Sequence, residues 1–464
     1  MNLSDLHYLG LREVAHLMHT GELSPVELTE AMLGRIEELD PGLRSFVSVL
    51  SESALEAART AEQEISRGEI RGPMHGVPLA IKDIFWTQGA PTAAGMKIHK
   101  DFVATEDATV VRRLHEAGAI VIGKLVLTEG VYAEHRPPFA APTNPWNKSY
   151  WSAASSSGSG VAVASGLCFG ALASETGGSI KLPSAVSGLT GLKPTWGRVS
   201  RHGVFELAAS LDHVGALARS AADAAVMLGV IAGADPLDPT SSNMRVPDYV
   251  QGLATGVRGL RIGIDPAWTR ENVDPATSHA LDGAMRALVD QGAILVEVRL
   301  PDPTEMIWDW FGVCAVQTAV AHEATYPSRL AEYGPALAEL LKAGHELSGM
   351  DYQRLLLRRD EFRGRVNRVL EQVDVLAMPV LSFPAPTIER MTRMDDELIA
   401  GLHRFTCPFN MSGHPGVVMP CGFTKDRMPI VYQLVGRHFG EEQLLATAHA
   451  YQESTDWHRV HPIP

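Results

Sequence analysis

The chain has 464 residues, 45% hydrophobic and 20% charged, the composition of a globular protein with a large core. Its net charge of −14 argues against a nucleic-acid surface, and no basic run or RNA-binding signature offsets it. We expect a cytoplasmic protein with no membrane partner: no apolar segment reaches the ~20 residues that span a bilayer, and the N-terminus lacks the order of a signal peptide. Cys168, Cys314, Cys407 and Cys421 are far apart and form no CxxC pair, so buried free thiols are expected.

In chain order, Leu11 to Glu38 reads as helical. Ser24-Pro25-Val26-Glu27 supplies an N-cap, a proline at the first helical position and a glutamate at N3, a capping box for a helix running towards Leu39. Ser51 to Arg67 reads as a second amphipathic helix, with Leu55, Ala58 and Ala61 among its small apolar positions. Residues 1–70 therefore read as a helical cover on a core that begins later.

Gly76 to Asp83, GVPLAIKD, is an apolar run ending abruptly in charge, as a buried strand does where it emerges at a sheet edge. Ala108 to Ala117 reads as a helix and Ala119 to Gly123 as the strand after it; His279 to Gln291 and Ala293 to Val298 repeat the order. Such alternation indicates an α/β architecture with a parallel or mixed sheet. Glu305 to Arg365 reads as mostly helical and carries Trp308, Trp310, Phe311, Tyr326, Tyr333 and Tyr352. With no linker, low-complexity tract or internal repeat, residues 1–464 read as one domain with an elaborated helical region.

The stretch Trp151 to Ser200 is unusually dense in serine and glycine, a composition that marks close backbone approach. Its two hydroxyl clusters are Ser155-Ser156-Ser157 and Thr176-Gly177-Gly178-Ser179, joined by an apolar run from Val161 to Ala173 that fits a helix or a helix plus a short strand. Gly118 to Lys124 matches G-x-x-x-x-G-K, but Leu125 stands where a magnesium-binding hydroxyl belongs, and no metal or dinucleotide motif occurs. No cofactor is expected.

The Thr176–Ser179 turn suits a nucleophile with an oxyanion hole, because glycines let successive backbone N–H groups converge on one point. Taken alone, a plain Gly-Gly turn followed by an N-capping serine explains it better. It is not a G-x-S-x-G elbow. A serine nucleophile needs a base. His202 and His213 hold no recognisable position, which leaves Lys82, Lys181 and Lys193. Lowering a lysine from about 10.4 to about 7.5 takes roughly 4 kcal/mol, and so requires burial or a neighbouring cation. Lys82, at the end of an apolar strand, is best placed for it, although a surface lysine beside Asp83 is the simpler account of that residue alone.

GVPLAIKD (Gly76–Asp83), SSSGSGVAVASG (Ser155–Gly166), ETGGSIKLPSAVSGLTGLKPTWGRVS (Glu175–Ser200) and SLDHVG (Ser210–Gly215) together resemble the amidase signature family. The resemblance reaches the N-terminal helices and the C-terminal FTCPFNMSGHPGVVMPCGF, and is weakest over about residues 300–375, a variable helical region in such enzymes. It implies a mixed, many-stranded central sheet flanked by helices on both faces. It also implies a Ser–cis-Ser–Lys triad of Ser179 as nucleophile, Ser155 as bridging serine and Lys82 as base, with an oxyanion hole from Thr176, Gly177, Gly178 and Ser179. The sequence departs from the usual pattern at Ala153-Ala154, at Ser157 and at Lys181.

The reaction expected from the resemblance is C–N bond hydrolysis through an acyl-enzyme, on a small-molecule amide or carbamate, by a monomer or homodimer. Trp308, Trp310 and Phe311 are candidates for the substrate pocket, and would then favour bulky or aromatic amides, anilides or carbamates. Helix packing is their other reading, since Trp308 and Phe311 share one helical face. The alternative function is the glutamine-hydrolysing subunit of a tRNA-dependent amidotransferase. A catalytically dead scaffold is disfavoured by the presence of Lys82, Ser155 and Ser179 together.

Overall fold

Short apolar runs alternating with helices assemble, in the computed structural model, which describes residues 6–463, into an 11-stranded sheet. Its strands are β1 (Phe46–Val49), β2 (Pro78–Lys82), β3 (Ile120–Leu125), β4 (Gly170–Glu175), β5 (Thr190–Lys193), β6 (His213–Ala218), β7 (Arg261–Ile264), β8 (Ile294–Glu297), β9 (Val375–Pro379), β10 (Gly416–Phe423) and β11 (Pro429–Gly436). Across the sheet they lie in the order β1-β3-β2-β4-β6-β5-β10-β11-β9-β7-β8. β2 runs parallel between β3 and β4, and β7 runs parallel to β8 and β9. The other neighbours are antiparallel, so the sheet is mixed.

Successive strand residues point to opposite faces, and here each face has its own core. Leu79 and Ile81 of β2, Val121 of β3 and Leu172 of β4 join a core that includes the helices Leu11–His19, Thr109–Glu116 and Ala221–Ile231. Ala80, Ile120, Ile122, Ala171 and Ala173 join a second core under the helices Pro25–Leu43, Ser51–Ser66 and Ser157–Ala164. Helices on both faces follow from strands buried on both sides.

The N-terminal cover differs from the sequence expectation in two ways. The expected helix from Leu11 to Glu38 is two helices, Leu11–His19 and Pro25–Leu43, parted by a turn in which Gly21 adopts φ 77°. Between the later helices, Phe46–Val49 forms β1 and pairs antiparallel with β3, so this region contributes a strand as well as a cover. Ser24 caps its helix as expected, accepting from the N–H groups of Val26 and Glu27. Among the described residues Glu27 does not reach back to complete the box; Ser24 Oγ instead donates to Glu62 of the helix Ser51–Ser66.

Residues 304–370 form the helices Thr304–Ala321, Pro335–Glu346 and Gly349–Leu370, as the sequence indicated. The buried Glu129 carboxylate ties them to the sheet by accepting the Gly334 N–H at 2.9 and 3.0 Å. No helix among the described residues is long and apolar enough to cross a membrane. All four cysteines are buried and unpaired.

The charged end of GVPLAIKD is buried rather than at the surface. Asp83 Oδ1 lies 3.2 Å from Lys124 Nζ on β3, and both side chains are out of solvent. Lys124 also donates to the Phe85 carbonyl at 2.9 Å and to Thr92 Oγ1 at 2.8 Å, pinning the loop after β2. Burial raises the Asp83 carboxyl and lowers the Lys124 amine from their ordinary values. Removing one member of such a pair leaves an uncompensated buried charge. Lys124→Met should therefore lower stability by about 3–5 kcal/mol in chemical denaturation.

Candidate active site

Because β2 and β4 run parallel, their C-terminal ends open side by side, the usual place for ligand sites in such sheets. β2 delivers Lys82 there and β4 delivers Ser174 and Glu175. Lys82 Nζ lies 2.7 Å from Ser155 Oγ and 3.0 Å from Ser174 Oγ, with no exposure to solvent. Burial lowers its pKa to about 7, against the opposing pull of Asp212 and Glu175. A large fraction of neutral amine at pH 7 leaves a lone pair for a serine proton.

Ser155 follows a cis Ala154–Ser155 peptide and precedes the helix Ser157–Ala164, so the helix-plus-strand option for 161–173 is the one adopted. Ala153, one of the positions that depart from the family pattern, takes a left-handed φ of 69°. Ser157, a second departure, is hydrogen-bonded to His135 Nε2 at 2.8 Å.

Every residue from Ser155 to Thr195 is buried except Ser179, which is half-buried. The Ser179 hydroxyl makes no hydrogen bond to a described residue. It is the one side chain of this segment that a substrate could reach. The turn before it is held from behind. Thr176 O accepts Trp310 Nε1–H at 2.8 Å, and Gly177 O accepts Thr406 Oγ1–H at 2.6 Å and Cys407 Sγ–H at 3.4 Å. Glu175 Oε2 accepts the N–H groups of Ile180 and Lys181, each at 3.0 Å, fixing the start of the helix Lys181–Ser187. Among the described residues, the N–H groups of Gly177, Gly178 and Ser179 have no acceptor.

The other candidate bases are engaged elsewhere. Lys181 Nζ sits 3.3 Å from Glu175 Oε1, and Lys193 donates to the Pro194 carbonyl at 3.2 Å. His213 Nδ1 is bound to the Leu211 carbonyl at 2.6 Å, and His202 lies 3.4 Å from Glu106. Lys82 alone of these meets a serine of the expected set.

Asp212 belongs to the site although sequence reasoning gave it no role. Its Oδ1 accepts Thr176 Oγ1–H at 2.6 Å, while Oδ2 accepts from Leu207 and Ala208 N–H groups at 2.9 and 3.0 Å. Burial pushes its pKa up to about 6. The available signal was an acid set just before the apolar run of β6, within SLDHVG.

The three aromatics pack on one another along the helix Thr304–Ala321. Trp310 is only 4% exposed, and its ring stacks on His403 behind the turn, its indole N–H used by Thr176. Trp308 is 42% exposed and lines a cavity of about 970 Å³ with Trp268, Phe383 and Arg404, whose walls include none of Lys82, Ser155 and Ser179. Phe311 packs between Trp308, Trp310 and His403. The helix-packing reading fits Trp310 and Phe311.

Residues 27–445 match the family model described as Amidase, and the chain belongs to the amidase signature family of hydrolases. The protein named putative amidase AmiD of Mycobacterium tuberculosis (strain ATCC 25618 / H37Rv) is 48% identical over 456 residues, covering 98% of this chain and 96% of AmiD. A glutamyl-tRNA(Gln) amidotransferase subunit of Chloroflexus aggregans is 37% identical over 487 residues, covering 99% of each chain. Among solved structures, 6-aminohexanoate cyclic dimer hydrolase complexed with substrate superposes with a TM-score of 0.89 at 27% identity, covering 100% of this chain and 99% of that one.

A left-handed non-glycine residue costs roughly 1–2 kcal/mol, and glycine's extra unfolded-state entropy returns part of that. Ala153→Gly should therefore stabilise the fold by about 0.5–1 kcal/mol, read as a higher thermal midpoint.

Proposed function

We propose that this chain hydrolyses amide C–N bonds through an acyl-enzyme on Ser179, with Ser155 and Lys82 as a proton relay. The observation that carries the reading is the 2.7 Å contact between the buried, pKa-lowered Lys82 amine and Ser155, together with Ser179 as the one hydroxyl-bearing residue of 155–195 that is not buried. Neutral Lys82 takes the Ser155 proton as Ser155 takes that of Ser179. Ser179 Oγ attacks the carbonyl carbon, and the negative oxygen is met by the free N–H groups of Gly177, Gly178 and Ser179, with Thr176 N–H completing the set. Collapse expels the amine, which receives the relayed proton, and water enters by the reverse route to release the acid.

Anilides, carbamates and esters share this acyl-transfer chemistry and fall within the same proposal. Trp308 lines a cavity whose walls lack the triad and Trp310 donates to the Thr176 carbonyl, so the proposal claims no aromatic preference from them. A second reading, glutamine hydrolysis within an amidotransferase, is favoured by the 37% identity to a protein of that kind.

A panel of a p-nitroanilide, an aryl carbamate, a phenylacyl ester, a primary aliphatic amide and glutamine separates these readings. The amidase proposal expects turnover of one or more non-glutamine substrates by the purified chain, abolished in Ser179→Ala. Activity on glutamine alone, or only with a copurifying protein, supports the second reading instead. The base must be neutral to act, so activity is lost as pH falls through the Lys82 value. In the wild type kcat/KM should rise about tenfold per pH unit below about 7 and level off above it. Lys82→Ala should lose roughly 10²–10⁴ of the rate and this limb of the profile with it.

A further inference from the structure

An oxyanion hole works only if its donors are aimed before the charge develops. In a trans peptide the C=O and N–H of one plane point in opposite directions. Whatever grips the carbonyl of Thr176 therefore aims the N–H of Gly177, and whatever grips the carbonyl of Gly177 aims the N–H of Gly178. Both carbonyls are gripped by side chains: Thr176 O by Trp310 Nε1 at 2.8 Å, and Gly177 O by Thr406 Oγ1 at 2.6 Å. Both N–H groups are free of protein acceptors among the described residues.

We propose that Trp310 and Thr406 are positioning residues that set the oxyanion hole by clamping these two peptide planes. The proposal rests on the acyl-enzyme reading above. Steric evidence supports the grip. A Cβ on Gly177 would stand 2.5 Å from Trp310 Cζ2, so the indole occupies the place a side chain would take and bears directly on the backbone. On Gly178, whose φ is +148°, a Cβ would come within 3.1 Å of Thr406 Oγ1 and Leu182. Thr406 has no exposure and Trp310 very little, so neither contact competes with bulk water. The two grips come from one packed unit: Trp310 stacks on His403 at 5.8 Å and 18°, and Thr406 N–H bonds the His403 carbonyl at 3.1 Å. Cys407 adds a weaker contact to the same Gly177 carbonyl. Trp310 thus acts through backbone, where the sequence suggested a substrate contact.

The test uses Trp310→Phe, which keeps a ring but loses the N–H, and Thr406→Val, which keeps shape but loses the O–H. Thr406→Ser is the conservative control. Each full-length variant is assayed on the fastest substrate of the panel for kcat and KM, and with phenylboronic acid, whose tetrahedral adduct mimics the oxyanion. A misaimed donor should cost less than the 10²–10³ of deleting one, so kcat should fall roughly 10- to 100-fold in Trp310→Phe and in Thr406→Val. Phenylboronic acid affinity should fall by a similar factor, KM should stay within about threefold, and Thr406→Ser should recover most of kcat. Unchanged kcat and boronate affinity in both variants would overturn the clamp. A rise in KM at constant kcat would overturn it too, and would make these residues pocket walls. If Thr406→Val fails to fold, Trp310→Phe carries the same outcomes. Loss of the amidase reading is separately visible: activity surviving Ser179→Ala sinks both, whereas activity lost there but intact in the two variants sinks only the clamp.

Discussion

The buried amine of Lys82 is the constraint around which this molecule is arranged. It lies on an interior strand of the sheet with no solvent contact, bonded to Ser155 and Ser174. Its fall from 10.5 to about 7 corresponds to roughly 5 kcal/mol in favour of the neutral amine. Asp212 and Glu175 limit the fall, and without such anions desolvation would act unopposed. A position this costly is kept only where the neighbouring structure is rigid. The Asp83–Lys124 pair just beyond β2 supplies rigidity on one side. The parallel register with β4 supplies it on the other.

The nucleophile's turn is built on the opposite principle. Lys82 is enclosed on every side, whereas Ser179 is left as the single opening in a buried segment. Around it, polar side chains near and far in the chain hold the turn: Glu175 the N–H groups after it, Asp212 the Thr176 hydroxyl, Trp310 and Thr406 the carbonyls before it. The helical region 304–370 is therefore coupled to the site. Besides Trp310 it reaches Ser210 through Gln317 and Arg359, and it is fastened to the loop after β3 by Glu129.

Much of this was legible in sequence wherever the signal was local. The Ser24 cap, the helix from Ser51 and the helix–strand units at 109–125 and 275–297 follow from capping chemistry and periodicity. Lys82 at the end of an apolar run ranked first of three lysines for desolvation, although taken alone it read as a surface residue; it is fully buried. The break of the first helix at Gly21 was a local miss; the others were non-local. Phe46–Val49 is a strand only because β3 offers an edge to pair with, and four residues between two helices carry no period of their own. Asp212 looks like an ordinary loop acid until Thr176, 36 residues earlier, is folded against it. Trp308, Trp310 and Phe311 gave a correct helix but no indication of which ring would face which neighbour, because rotation about a helix axis is settled by tertiary packing.

The central claim is that Ser179, activated through Ser155 and Lys82, becomes covalently acylated. Intact-protein and peptide mass spectrometry after brief reaction with an activated phenylacyl ester tests it most directly. The account predicts one acyl adduct per chain, mapped to Ser179 and absent from both Ser179→Ala and Lys82→Ala. An adduct on another residue, or one that forms at the wild-type rate without Lys82, would contradict it.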